Sequence, residues 1–342
     1  MEEKKDILSL SLNELETEML QIGKEKYRAK QIFRWLHVVR ADSFAKMTDI
    51  SAQTRDVLEE KFCIKSLKIQ KRLVSAVDNT VKYLYVLPDG NKVETVLMEY
   101  RHGNSICLST QVGCKMGCEF CASTKAGFVR DLTPSEILLQ VFETERDSGR
   151  TVDSIVLMGI GEPLDNFDNV IKFLSLISDK NGRNMSLRHV SLSTCGLVDR
   201  IYELADLNLG LTLSVSLHAP TDKKRSEIMP VNRKYGLKDL ITACRDYFSK
   251  TGSRISFEFA LIKGVNDDKQ TAKELITLLK PLGVCHVNLI PVNEIREGSY
   301  KKSSFVSAFQ QTLTKAGINA TVRRTLGTDI EAACGQLRRD NI

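Results

Sequence analysis

The sequence predicts an α/β fold: a partial, open (β/α)6 barrel preceded by a small helical unit and a β-hairpin. Three observations predict it. Six candidate strands, at 105–109, 154–158, 189–194, 211–217, 255–262 and 286–291, alternate with helical stretches. Such alternation builds a parallel sheet with right-handed crossovers. The residues before 104 carry a different patterning, first helical and then strand–turn–strand. Six units also fit the chain better than a full eight-fold barrel, which takes about 250 residues by itself.

Ser11-Leu-Asn-Glu14 is a capping box, in which the hydroxyl and the carboxylate satisfy each other's orphan amides. Leu12, Leu15, Met19 and Ile22 follow at helical spacing, and Gly23 ends the run. A second helix is expected over 26–39, with Ile32, Phe33 and Leu36 inward, and a third over 51–62. The apolar runs 81–87 and 93–97 flank Pro88-Asp-Gly90, which reads as a hairpin. Thr133-Pro-Ser-Glu136 is a strong helix start. Further helices are expected near 134–148, 167–179, 198–207, 237–250 and 268–280. The divisions are therefore a helical unit (1–65), a hairpin linker (66–103) and an α/β core (104–342).

The 342 residues carry 49 Lys+Arg against 43 Asp+Glu, a net charge of +6 that permits a nucleic-acid partner without demanding one. No apolar run approaches the roughly 18 residues of a membrane span, so no membrane partner is expected. The acidic, amphipathic start lacks the features of an export signal, so a cytoplasmic location is expected. In that reducing setting, nine cysteines point to metal binding or catalysis rather than a disulfide framework.

The sharpest feature is Cys114-Lys-Met-Gly-Cys118-Glu-Phe-Cys121. Three thiolates in one loop can converge on a metal at the strand end where open α/β folds keep their chemistry. Iron–sulfur cubanes ordinarily take four cysteines, so three leave one iron open to a non-protein ligand. The alternative is zinc with a distant ligand such as His102, although structural zinc sites favour paired cysteine spacings. Met158-Gly-Ile-Gly-Glu162-Pro-Leu-Asp-Asn166 follows the second barrel strand. Its glycines let backbone approach a ligand, and Glu162 can accept a hydrogen bond from an ammonium; a tight turn would use the same glycines. Ser193, Ser216, His218 and Asn293 stand at later strand ends. As a set they make a polar rim; singly each is an ordinary cap.

The three-cysteine loop, with Phe120 before its last cysteine, resembles the radical S-adenosylmethionine (SAM) superfamily. SICLSTQVGCKMGCEFCAST, GIGEPLDN, SLSTCG, SLHAP and DIEAACGQL are similar to the RlmN/Cfr family of radical SAM RNA methyltransferases, over nearly the whole chain. The resemblance implies a radical SAM barrel and a [4Fe–4S] cluster on Cys114, Cys118 and Cys121. It implies two SAM molecules per turnover, bound by Gly161, Glu162, Ser193, Ser216, Leu217, His218 and Asn293. Cys334, in Ala-Ala-Cys-Gly, would take a methyl from one SAM as a thiolate. A radical made from the second SAM would withdraw a hydrogen from that methyl, and the carbon radical would add to adenine. Cys107 would then attack the Cys334 sulfur and free the product with a transient disulfide. Without the resemblance, Cys107 and Cys334 read as small buried residues. Glu94 matches a family position for the proton acceptor; an exposed strand carboxylate is its other reading.

The resemblance further implies 23S rRNA and tRNA as partners, an electron donor such as flavodoxin or ferredoxin, and a monomer. Residues 1–65 become an RNA-binding accessory domain. Pro163 looks like the branch that methylates carbon 2 of adenosine. The alternatives are the carbon-8 branch and a non-catalytic, metal-stabilised RNA-binding protein. Basic residues at 24–40 (Lys24, Lys26, Arg28, Lys30, Arg34, Arg40) and 223–234 (Lys223, Lys224, Arg225, Arg233, Lys234) are candidate phosphate contacts, or solvated faces.

Overall fold

The computed structural model describes residues 4–283, 285–295 and 298–338. Helices α1 (Leu12–Gln21), α2 (Tyr27–Arg34) and α3 (Ala52–Lys61) open the chain. The capping box of Ser11 and Glu14 is complete in both directions. The expected second helix is not uniform: α2 runs into a π-helical turn, Trp35–Val39, that ends at Arg40 in the left-handed region, φ 61°. The widened turn puts both Leu36 and His37 on the buried side.

Among the described residues ten strands form one sheet whose spatial order is the chain order. They are β1 (Lys68–Val74), β2 (Val81–Val86), β3 (Lys92–Tyr100), β4 (Gly103–Cys107), β5 (Ser154–Leu157), β6 (Val190–Thr194), β7 (Thr212–Ser216), β8 (Ile255–Leu261), β9 (His286–Pro291) and β10 (Asn319–Val322). The six strands expected from the sequence are β4 to β9, all parallel to their neighbours. β10 adds a seventh parallel strand. The hairpin β2–β3 is not isolated: it pairs with β1 on one side and β4 on the other, with Val96 opposite Cys107. Among the described residues the edges β1 and β10 do not pair, so the sheet stays open.

Helices α4 (Pro134–Ser148), α5 (Phe167–Ser178), α6 (Val198–Leu207), α7 (Asp222–Ile228), α8 (Leu237–Thr251), α9 (Lys269–Leu279) and α10 (Val306–Lys315) lie between the parallel strands. One apolar core runs from Ile7, Leu15 and Phe33 of the helical unit through Phe142 and Phe173 to Phe257 and Leu289 of the sheet. Each such side chain contributes about 1.5–3 kcal/mol when fully buried, so the helical unit and the sheet stabilise each other. Polar ties reinforce the contact: Arg40 pairs with Glu145 at 2.5 Å, and Ser9 Oγ accepts from the Ser135 amide at 3.2 Å. Among the described residues no helix is long and apolar enough to cross a membrane.

After β10 the chain returns across the strand ends, fastened along its length. Gly327 N donates to Asp78 Oδ2 (2.9 Å), and Ser75 Oγ donates to Asp329 Oδ1 (2.7 Å). Lys82 Nζ donates to the Glu331 carbonyl (3.1 Å), and the Arg338 amide donates to Glu94 Oε2 (2.7 Å). Cys334 lies between these ties.

Candidate active site

The cysteine loop leaves a short antiparallel hairpin of Gln111–Gly113 with Phe128–Asp131. Gly117, at φ 73°, makes the turn that brings Cys118 back beside Cys114. The Cys121 amide donates to the Cys118 carbonyl (3.1 Å), and Ala122 N donates to the Gly335 carbonyl (2.8 Å). The last contact ties the loop to the segment carrying Cys334.

Cys114, Cys118, Cys121 and Cys334 all line one pocket at the C-terminal ends of the parallel strands. Burial pushes the Cys114 thiol up to about 12, and it raises Cys118 and Cys121 too, with the neighbouring thiols adding to the effect on Cys114 and Cys118. Three thiolates can be held there only with a cationic partner, which the metal of an iron–sulfur cluster supplies. Among the described residues no three His, Cys, Asp or Glu side chains gather closely enough for a single metal ion. A cluster differs in taking one sulfur at each of several corners. His102, the suggested zinc ligand, stacks on Tyr100 at 5.3 Å and does not line the pocket. The donor set therefore fits a cluster better than a lone zinc.

Gly161, Glu162, Ser193, Ser216, His218 and Asn293 line the same pocket. At Gly161, φ is 107° and a Cβ would stand 2.6 Å from the Cβ of Gln111, so only glycine fits. The Gln111 side chain in turn accepts from the Glu162 amide (2.8 Å). Glu162 is buried, and its Oε2 accepts from the Cys195 amide (2.7 Å). Burial raises its carboxyl despite that bond. His218 Nδ1 accepts from Ala260 N (2.8 Å), which fixes the tautomer with its proton on Nε2. Burial, aided by Arg225, holds the imidazole down at about 3, so the ring is neutral. Asn293 Nδ2 donates to the Cys334 carbonyl (3.0 Å).

Three expected residues lie elsewhere. Leu217, just past the end of β7, packs into the core, while His218 turns toward the pocket through a left-handed backbone, φ 54°. Its carbonyl accepts from Arg225 Nε (3.1 Å). Cys107 packs behind the pocket with Met98, Ile160, Leu326 and Ala332; burial first, then Cys334, pushes its thiol up to about 12. Glu94 is no exposed strand carboxylate: it is 0% exposed and pairs with Lys82 at 3.1 Å.

The pocket also holds residues that sequence reasoning passed over. Arg323 and Glu258 line it 3.8 Å apart, and Arg323 Nη1 lies 3.2 Å from Met158 Sδ. Cys334 is the strongest influence keeping Arg323 protonated, with Glu258 and Cys107 adding to it. Glu258 lies mid-strand in β8, paired with Ser216 at the end of β7, and nothing in its local sequence marks it. Cys195 is a fifth cysteine of the pocket. Of the basic stretches, Lys30 and Arg34 are exposed, whereas Arg40 is spent on Glu145 and Arg225 is fully buried.

Two family models match the chain: the ribosomal RNA large subunit methyltransferase N-terminal domain over residues 5–64, and the radical SAM superfamily over residues 108–276. A curated relative from Alkaliphilus oremlandii is 52% identical over 342 residues, covering 99% of both chains. One from Clostridium novyi is 50% identical over 340 residues, again 99% of both. Both carry the name "Probable dual-specificity RNA methyltransferase RlmN". A solved radical SAM methyltransferase from Sphaerobacter thermophilus superposes with a TM-score of 0.93 at 40% identity, covering 98% of this chain and 100% of that one. With relatives this similar over nearly their whole length, the chain belongs to the RlmN family of radical SAM RNA methyltransferases, which use a [4Fe–4S] cluster and SAM.

Proposed function

We propose that this protein methylates carbon 2 of adenosine in 23S rRNA and tRNA, through a methyl group carried on Cys334 and a covalent protein–RNA adduct. The observation that carries the reading is the position of Cys334 in one pocket with Cys114, Cys118, Cys121 and the Glu162–His218 rim. When bound, the cluster and SAM supply the methyl group and the radical. Glu162, His218 and Asn293 orient SAM, Glu162 by accepting from its ammonium. Cys334 takes the methyl because it faces the pocket, while Cys107, behind it, does not compete. Cys107, as thiolate, then attacks the Cys334 sulfur: the sulfur–carbon bond breaks, its electron pair stays on the methylene carbon, which takes a proton to become the methyl group, and a transient Cys107–Cys334 disulfide remains. Glu94, two residues from Val96 on the face it shares with Cys107, takes the ring proton, and Lys82 balances its charge. The target adenine leaves its stack to reach the pocket.

The test is a denaturing gel with labelled RNA. Cys107→Ala should accumulate an RNA-bearing protein band, because the carbon–carbon bond forms but cannot be released. Cys334→Ala should give neither band nor product. Normal turnover in Cys334→Ala, with no band from Cys107→Ala, would dismiss the covalent route.

A further inference from the structure

Arg225 is the bulkiest of the fully buried side chains among the described residues, 0% exposed, and it carries a charge. Its Nε donates to the Leu217 carbonyl (3.1 Å) and Nη1 to Asn232 Oδ1 (2.9 Å). Nη2 donates to the carbonyls of Cys195 (2.6 Å) and Ser216 (3.0 Å). Every partner is neutral. Asp222, the carboxylate with most influence on it, is exposed and acts through Asn232. Its Oδ1 accepts instead from Asn232 Nδ2 (3.0 Å) and Leu237 N (2.8 Å). A cation buried among neutral acceptors is costly unless an anion lies close by.

The surroundings supply the place for one. α7, which carries Arg225, packs directly on the cysteine loop. The Glu119 amide donates to the Ile228 carbonyl (3.0 Å). Pro230 sits over Gly117, where an added Cβ would meet its ring at 3.3 Å. Cys118, Cys195, Ile228 and Met229 share one apolar cluster there. Arg225 does not line the pocket, so it reaches a bound cofactor only through its field.

We propose that Arg225 is a built-in counter-cation of the iron–sulfur cluster and raises its reduction potential. This rests on the assignment of the cluster to Cys114, Cys118 and Cys121. A [4Fe–4S] core with three thiolates is anionic before reduction, and the single electron it accepts adds one more negative charge. A fixed positive charge behind a dry wall favours the reduced form, since net charge and burial are among the terms that set such potentials. No bond to Arg225 forms or breaks.

The experiment is a redox titration of the reconstituted full-length protein, followed by the electron paramagnetic resonance signal of the reduced cluster, with iron content and thermal unfolding measured alongside. Arg225→Gln removes the charge. Asn232→Asp keeps the guanidinium and its carbonyl partners but sets a carboxylate against it, so it carries the test should Arg225→Gln fail to fold. Both should cut the reduced-to-oxidised ratio at a given potential at least tenfold, a shift of about 59 mV for one electron. Arg225→Lys should stay near the wild-type potential. Lower thermal stability with iron bound and the potential unmoved would make Arg225 a strand clamp only and overturn the inference alone. A wild-type protein that takes up no iron would overturn the cluster assignment and the inference with it.

Discussion

Replacing Lys82 by Met removes half of the most buried ion pair among the described residues. Its Nζ stands 3.1 Å from Glu94 Oε1, with the two side chains 3% and 1% exposed. Solvent screening is negligible at that depth, and removing one partner of a buried pair costs about 3–5 kcal/mol. The lost bond from Lys82 to the Glu331 carbonyl adds about 1 kcal/mol, while the Arg338 amide, still donating to Glu94, offsets part of the loss. A net destabilisation of about 3–5 kcal/mol is expected in urea unfolding, with the m-value unchanged. Adding Glu94→Gln should recover part of it, because a buried charge goes with it; the coupling should reach about 0.5–3 kcal/mol. The same pair grips residues 331 and 338 on either side of Cys334, so Lys82→Met should slow adduct formation more than it weakens SAM binding. A loss below about 1 kcal/mol, or strict additivity with Glu94→Gln, would refute the reasoning by showing the pair to be screened.

Gly161→Ala should cost about 1–3 kcal/mol from its positive φ and its contact with Gln111, and calorimetry should show about tenfold weaker SAM binding as Glu162 shifts. Gly264→Ala, at φ 72° with open space around it, is the control: it should carry the strain without the loss of affinity. His37 is held down at about 4 by burial between Phe33 and Gly182. Its folded value is depressed below the usual 6.5, so the unfolded chain binds the proton first and stability falls as pH drops from about 6.5 towards 4. The loss should approach about 3 kcal/mol at pH 4 and shrink in His37→Phe; equal pH profiles for the two proteins, followed by unfolding midpoint, would exclude His37 as the cause.

Much of the architecture was legible because it rests on local chemistry. Thr133-Pro-Ser-Glu136 starts α4 at Pro134, and β4 to β9 sit where apolar runs meet polar strand ends. β1 escaped because Lys68–Val74 is an edge strand, almost wholly exposed, so burial left no mark on its composition. β10 and α7 are short, and their neighbours rather than their own patterning hold them. In the site, the cysteine loop and the Gly161–Glu162 turn announce themselves through spacing. Arg323 and Glu258 do not, because only the fold brings residues so distant in sequence to 3.8 Å. Arg225 was misread among surface cations: Lys223 beside it is exposed, and nothing local shows that the next turn faces inward.

The most direct test of the central claim is nucleoside mass spectrometry of RNA treated with the reconstituted, reduced protein and SAM. The expected product is adenosine with one added methyl group on carbon 2, in both 23S rRNA and tRNA, absent when Cys334→Ala protein is used. A methyl on carbon 8, on the ribose or on an adenine nitrogen, or a product that survives the loss of Cys334, would contradict it.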